Sequence, residues 1–322
     1  MKRVHPSKYS SGVALIIVLW AVSLIATAML GLAALLQRQL DQELAALQNA
    51  RATLVAESGI QMAMHKDLLP GDMRVASEEL TKRLQEGWKV GKRKVPIEFT
   101  IEAKDMTGEA GKLNINALLL GDKGVARAVL QNLFAGWEVN LTTSSPLIDA
   151  LIDWVDSDGF ATGSNSATES NVRNGVFEKV EELEKVIGWA EMAKEAREGS
   201  KGVDALSKFT VFGLGKLSLQ SADQDVIEAF LGLGQGGAQA FVLARPGQDG
   251  VLGTNDDLIN PSLMIPTYAG WEERVTLKEE EDLWRVTSTG TVGEATRKVV
   301  ALISRKSNPP QVRARWSEEE AP

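Results

Sequence analysis

The chain has 322 residues, 44% of them apolar, and a formal net charge of −8. It has no cysteine and two histidines, His5 and His65, which excludes thiol nucleophiles, cysteine-based zinc sites and disulfide staples, and leaves His65 as the base of any Ser-His-Asp triad. Without Lys2, Arg3 and Lys8, the only charges in the first twelve residues, the net charge falls from −8 to −11. So acidic a body argues against a generic nucleic-acid binder, whose affinity rests on Lys/Arg neutralising phosphates.

The three basic residues lead to Gly12, and from Val13 to Leu36 no residue is charged and only Ser23 and Thr27 are polar. Those residues span roughly 36 Å as a helix, against a bilayer core of about 30 Å. The stretch is too long for the apolar region of a cleavable export signal. The basic flank predicts an N-terminus inside and a body outside. The pattern then continues without proline to Pro70, with Leu40, Leu44, Leu47, Leu54 and Val55 at helical spacing. One helix of about fifty residues is expected, half in lipid and half against a folded body. Arg51 and Glu57 on it are candidates for pairing across subunits or at the surface.

Beyond Pro70-Gly71 a short helix is predicted over 72–87. Val95, Ile97, Phe99 and Ile101 alternate with polar positions and predict a half-buried strand, with Lys92, Arg93 and Lys94 as its solvated end. An internal repeat follows. Gly111-Lys112-Leu113-Asn114-Ile115-Asn116-Ala117 is echoed by Gly215-Lys216-Leu217-Ser218-Leu219-Gln220-Ser221-Ala222. Helix-compatible segments follow at 125–137 and 223–234, so each copy reads as a short extended piece feeding a helix. The glycines of residues 232–237 follow a helix instead of a strand, so they predict a turn between helices and not a dinucleotide loop. The last strands, 283–292 and 295–306, form a hairpin around Gly293-Glu294, and residues 307–322 read as a disordered tail.

Two acidic stretches carry the sharpest chemistry. Asp149, Asp153 and Asp156 share one helix face, and Asp158-Gly159 ends it. Carboxylates so gathered repel unless a hard cation sits between them, and calcium takes six to eight oxygens in flexible geometry. The loop to Glu169, rich in Gly, Ser, Asn and Thr, is able to wrap an ion. Its spacing is not that of an EF-hand, because Phe160 takes the third position counted from Asp158. The alternative is a solvated acidic loop. Asp249, Asp256 and Asp257, with Gly250 and Gly253, form a weaker metal candidate or a polar turn.

The basic leader, Gly12 and the apolar run resemble the type IV pilin and type II secretion pseudopilin family. The resemblance implies cleavage by prepilin peptidase between Gly12 and Val13. Most members carry glutamate five residues after the cut, where this chain has Ile17. In that lack, and in Asp105-Met-Thr-Gly followed by Lys112-Leu113-Asn114-Ile115-Asn116, the chain resembles the minor pseudopilins of the K type, the GspK family. Asp153-Trp154-Val155-Asp156-Ser157-Asp158 and Ala167-Thr168-Glu169 resemble that family's calcium stretch, although Asn171 and Val172 stand where it has aromatics. The resemblance implies calcium on Asp153, Asp156, Asp158 and Glu169.

The fold it implies is α+β: a pilin-like N-terminal helix packed on an antiparallel sheet, with a large helical domain inserted between strands. Its segments would be a leader (1–12), the transmembrane and pilin helix (13–70), a first α/β part (71–111), the inserted helical domain (112–245), the C-terminal sheet (246–306) and the tail (307–322). It further implies a non-enzymatic, single-pass inner-membrane protein with its body in the periplasm. Such a protein sits at the pseudopilus tip with minor pseudopilins of the I and J types and serves protein export. The alternative from another class is a membrane-anchored nucleic-acid-binding or DNA-uptake protein using helical hairpins; an anchored hydrolase has no nucleophile–base pair to name.

Overall fold

A computed structural model describes residues 10–65, 67–68, 70–87, 89–90, 93–94, 99–156, 174–252, 254–257, 260, 265, 273–276 and 282–318. The first helix, α1 (Ser10–Ala63), is continuous for 54 residues, as the uncharged run and its amphipathic continuation predict. It ends seven residues before Pro70. There Arg305 donates from Nη2 to the carbonyls of His65 and Leu68, both at 2.6 Å, and so satisfies backbone acceptors that the chain leaves just past the helix. A 3-10 turn, Pro70–Asp72, leads into α2 (Met73–Gly87). Two short strands, β1 (Lys89–Val90) and β2 (Arg93–Lys94), pair antiparallel.

The main sheet has four antiparallel strands in the order β10-β9-β8-β3. Here β3 is Phe99–Gly108, β8 Leu283–Val292, β9 Ala295–Ser304 and β10 Gln311–Glu318. The β8–β9 hairpin turns at Gly293, as predicted, with φ +60°, which costs glycine nothing. The segment Asp105–Gly108 completes β3, after a bulge between Ala103 and Asp105. One reading needs correction. Residues 311–318 are not a disordered tail but an edge strand on β9. Polar composition hid it, because edge strands carry charged side chains, here Arg313 and Arg315, that blunt further pairing.

The second half of α1 lies on one face of this sheet. Ala52, Ala56, Ile60 and Ala63 are buried on it, and Ala56, Ile60 and Ala63 pack with Met73, Met106, Val286, Val299, Ala301 and Ile303. Gln48 of α1 adjoins Gly293 at one end of the sheet, whereas Arg305, next to the far end of β9, grips the turn after α1. The apolar half of α1 therefore leaves from the hairpin end.

Between β3 and β8 the chain builds a helical body: α3 (Ile115–Leu120), α4 (Lys123–Gly136), α5 (Leu141–Val155), α6 (Trp189–Glu198), α7 (Gln224–Leu231) and α8 (Gln239–Ala244). Gly108 is paired with Trp284, so the body departs from and returns to the end of the sheet opposite the hairpin. Membrane-length rod, sheet and helical body thus follow in that order. The body has its own core, around Phe134, Trp137, Phe177, Trp189 and Phe209. Trp137 meets Phe134 at 5.6 Å and Phe209 at 6.3 Å, and its Nε1 donates to Asp225 at 2.7 Å.

Both repeat copies form the predicted short extended piece. In the first, β4 (Leu113–Asn114) pairs in parallel with β5 (Phe209–Thr210); in the second, β6 (Leu217–Ser218) pairs in parallel with β7 (Val275–Thr276). Asn114 caps α3 by accepting from the Ala117 amide at 3.0 Å and donates to the Phe212 and Gly213 carbonyls. The shorter Ser218 takes that position in the second copy, and no helix starts there; Asp223 precedes α7 instead. Gly232, at φ +68°, ends α7, and residues 232–238 form the expected turn to α8.

Candidate functional site: the exposed rod and two acidic loops

From Ala14 onward α1 is long and apolar enough to cross a membrane; its most apolar window has a mean hydropathy of 2.5, with none of it buried in the chain. Leu15, Leu19, Trp20 and Leu30 are each more than 70% exposed. An apolar surface of that extent does not persist in water; it needs lipid or the helices of other subunits. Gly12 and Val13 lie within α1. Lower on the rod an open groove of about 880 Å³ runs between α1 and α2, lined by Leu54, Met62, Leu68 and Leu80. Glu57, a candidate for pairing across subunits, pairs within the chain, with Arg315 of β10.

The first acidic stretch occupies the end of α5. Arg127 of α4 pairs with Asp149, and Lys123 of α4 with Asp156. Protein charges four residues apart on the neighbouring helix therefore answer the repulsion inferred from the sequence. The Lys123–Arg127 spacing was the signal for this, visible only once α4 and α5 lie antiparallel. The chain beyond is anchored at the same point. Gly175 donates from its amide to the Trp154 carbonyl at 3.1 Å. Trp154 stacks on Phe177 at 5.4 Å with planes 4° apart. Asn116, the second asparagine of the repeat, exchanges two hydrogen bonds with the Phe177 backbone, at 2.9 and 2.8 Å. The described residues on either side of 157–173 thus meet at Trp154. Asp158 and Glu169 lie outside the described residues. Among the described residues the buried Trp154 Nε1 has no hydrogen-bond partner, and no three carboxylates or imidazoles gather as a metal cage.

The second acidic stretch closes on itself. Asp256 Oδ2 accepts from the Gln248 and Asp249 amides at 2.7 and 3.1 Å, and Oδ1 from the Thr254 hydroxyl at 2.7 Å. The Thr254 hydroxyl and those amides, in that order of weight, push the Asp256 carboxyl down to about 2. Asp249 accepts from the Val251 amide at 2.8 Å, and Asp257 from Gln220 Nε2 at 2.9 Å. At Gly247, φ +68°, a Cβ would fall 2.3 Å from the Asp256 carbonyl, so only glycine closes this loop.

A third cluster went unread in the sequence. Glu109, 1% exposed, accepts from Arg285 of β8 through Nε at 2.8 Å and Nη2 at 2.7 Å, and from the Thr210 hydroxyl of β5 at 2.6 Å. Lys112 stands 3.7 Å away. Burial alone would raise the Glu109 carboxyl; the Arg285 hydrogen bonds and the Lys112 and Arg285 charges outweigh it, and the net direction is down. Both repeat lysines, Lys112 and Lys216, also line one cavity of about 400 Å³ together with Asp122, Glu273 and Arg274, a lining of mixed sign. His65 lies exposed at the end of α1, 3.8 Å from Asp67.

No protein-family model matches this chain, and no curated protein matches it. Among solved structures, the fold is similar to GspK in "The Crystal Structure of the GspK-GspI-GspJ complex from enterotoxigenic Escherichia coli Type 2 Secretion System". The match has a TM-score of 0.55 at 16% identity and covers 88% of this chain and 99% of that one. The expected pilin-like α+β fold, with a long helix on an antiparallel sheet and helices inserted between strands, is therefore the fold this chain has.

Proposed function

We propose that this chain is a K-type minor pseudopilin of a type II secretion system, a structural and not a catalytic subunit. In this reading α1 anchors the precursor in the inner membrane as a single span, with the body in the periplasm. Prepilin peptidase cuts between Gly12 and Val13, and the mature rod packs among the rods of I- and J-type minor pseudopilins. One observation carries the proposal: an exposed apolar rod, a sheet and a bulky helical body follow one another in line. A body at the end remote from the membrane obstructs a subunit stacking above it, which suits the tip of a pseudopilus and a role in export across the outer membrane. The net charge of −8 works against the nucleic-acid alternative.

N-terminal sequencing of the protein made with and without prepilin peptidase tests this. Val13 is expected as the first residue only when the peptidase is present, and the Met1 start otherwise. The same unprocessed start in both preparations removes the reading.

Calcium belongs to the proposal at the first acidic stretch. The described residues support it in one respect: Asp153 and Asp156 flank Trp154, whose carbonyl accepts from the Gly175 amide on the far side of segment 157–173, the segment whose sequence carries Asp158 and Glu169. A bound calcium would add positive charge to that of Lys123 and Arg127 at this helix end. At a calcium concentration about 100 times Kd, binding stabilises by about 2.7 kcal/mol. Chelation is then expected to lower the melting temperature by several degrees, and Asp153→Asn to abolish the difference. A melting temperature indifferent to chelator leaves a solvated loop. In the second stretch the Asp256 oxygens are already occupied by loop donors, and we place no ion there.

A further inference from the structure

The edge strand β10 touches more than β9. Successive side chains of a strand point to opposite faces of its sheet. Arg315 lies across from Ala301 and Val286, on the face that carries α1, and pairs there with Glu57. Trp316 lies across from Val300, on the other face. There it meets Phe212 of the helical body edge-on, with centroids 6.1 Å apart, and receives the Arg285 guanidinium 5.1 Å above its ring. Arg285 is the residue that holds Glu109, which in turn holds Thr210, two residues from Phe212. One strand thus bridges the rod and the helical body across the sheet.

We infer that β10 is a strap that sets the orientation of the helical body relative to α1, with Trp316 gripping Phe212 on one face while Arg315 grips Glu57 on the other. Domains joined only by the chain move against one another unless their interface is large. Here the chain crosses between sheet and body at residues 108–113 and again before β8, and the strap adds a third tie from the far edge of the sheet. Its own outer edge is blunted: the register shifts between Val312 and Ala314, and Arg313 at that bulge is exposed, a pattern that resists further strand addition. The strand therefore serves contacts within the chain. This inference stands whether or not the chain is a pseudopilin.

The absence of cysteine makes the test direct. Arg51→Cys on α1 and Ala240→Cys on α8, both at exposed positions, are introduced together in the full-length chain in detergent, spin-labelled, and the distance distribution is measured. A single narrow peak is expected for this parent and for Arg313→Ala and Trp316→Phe. Trp316→Ala, and truncation after Pro310, are expected to replace it by a broad distribution, with the circular dichroism of the Trp316→Ala chain unchanged. A peak that stays narrow and unshifted in Trp316→Ala overturns the inference. So does a broad distribution already present in the parent, or equal broadening by Arg313→Ala, which would mark general loosening of the edge.

Discussion

Glu109→Ala is expected to lower the melting temperature by on the order of 10 °C, the largest loss from any single polar side chain here. The carboxylate is buried where β3 ends and the helical body begins, and it binds Arg285 through two hydrogen bonds and Thr210 through a third. Removing one partner of such a pair leaves the other charge without compensation, at a cost of about 3–5 kcal/mol. Its pH dependence follows from the direction of the Glu109 shift. The folded-state carboxyl titrates below its ordinary value of 4.5, so its contribution is complete above that value and is lost as pH falls through the lower, folded-state value. Glu109→Gln should therefore flatten the acid limb of the stability profile while leaving the neutral limb merely lower. The double variant Glu109→Leu with Arg285→Met is expected to recover part of the loss, since no charge is then stranded. If thermal melts show Glu109→Ala within about 1 kcal/mol of the parent, the pair behaves as an exposed one and this account of the joint is wrong.

The parts of the molecule legible in the sequence are those whose signal is local. The rod shows itself through 24 uncharged residues, the hairpin through Gly293, and the helices after each repeat copy through their own periodicity. The short extended piece around Asn114 was legible from the repeat, but not the distant partners of Asn114 and Asn116 at Phe212, Gly213 and Phe177. What stayed hidden depends on neighbours far along the chain. Glu109 reads as one more polar residue in a turn until Arg285 is placed beside it, 176 residues later. The strand at 311–318 reads as a tail because Arg313 and Arg315 dominate it, and only the sheet edge gives Trp316 something to grip. The acidic helix face is a middle case. Its carboxylates were legible, whereas the Lys123 and Arg127 charges that answer them come from the adjacent helix. The acids of the second loop were legible too, but not the Gln220 side chain, 37 residues earlier, that donates to Asp257.

The seating of the rod depends on one glycine, and enlarging it is expected to unseat α1. Gly290 of β8 lies beneath Ala52 and Ala56, both fully buried. A Cβ at Gly290 would stand 2.3 Å from the Ala52 carbonyl oxygen and 2.5 Å from the Ala56 amide nitrogen. Both are backbone atoms of a helix, so no rotamer change relieves the clash and the helix as a whole must lift. Overpacking of this kind costs typically about 1–3 kcal/mol, and more where backbone must move. The neighbours on the strand explain why the approach is so close: Val286, Ser288, Gly290 and Val292 face the helix, and the small residues in the middle form a trough for the alanines. Gly290→Ala is therefore expected to destabilise the chain, and Gly290→Val to do so further, with faster amide exchange over 52–63. Gly31→Ala serves as the comparison. Gly31 is a helical glycine of the same rod with nothing within 4 Å of its added Cβ, so its substitution should leave the melting temperature unchanged or slightly higher. Because the lift occurs where rod and sheet join, Gly290→Val should also change the angle between rod and head, and so exclude the protein from any assembly that requires the two in register. A Gly290→Val chain that melts with the parent and keeps its slow exchange over 52–63 would mean that α1 is not seated on the sheet by this trough.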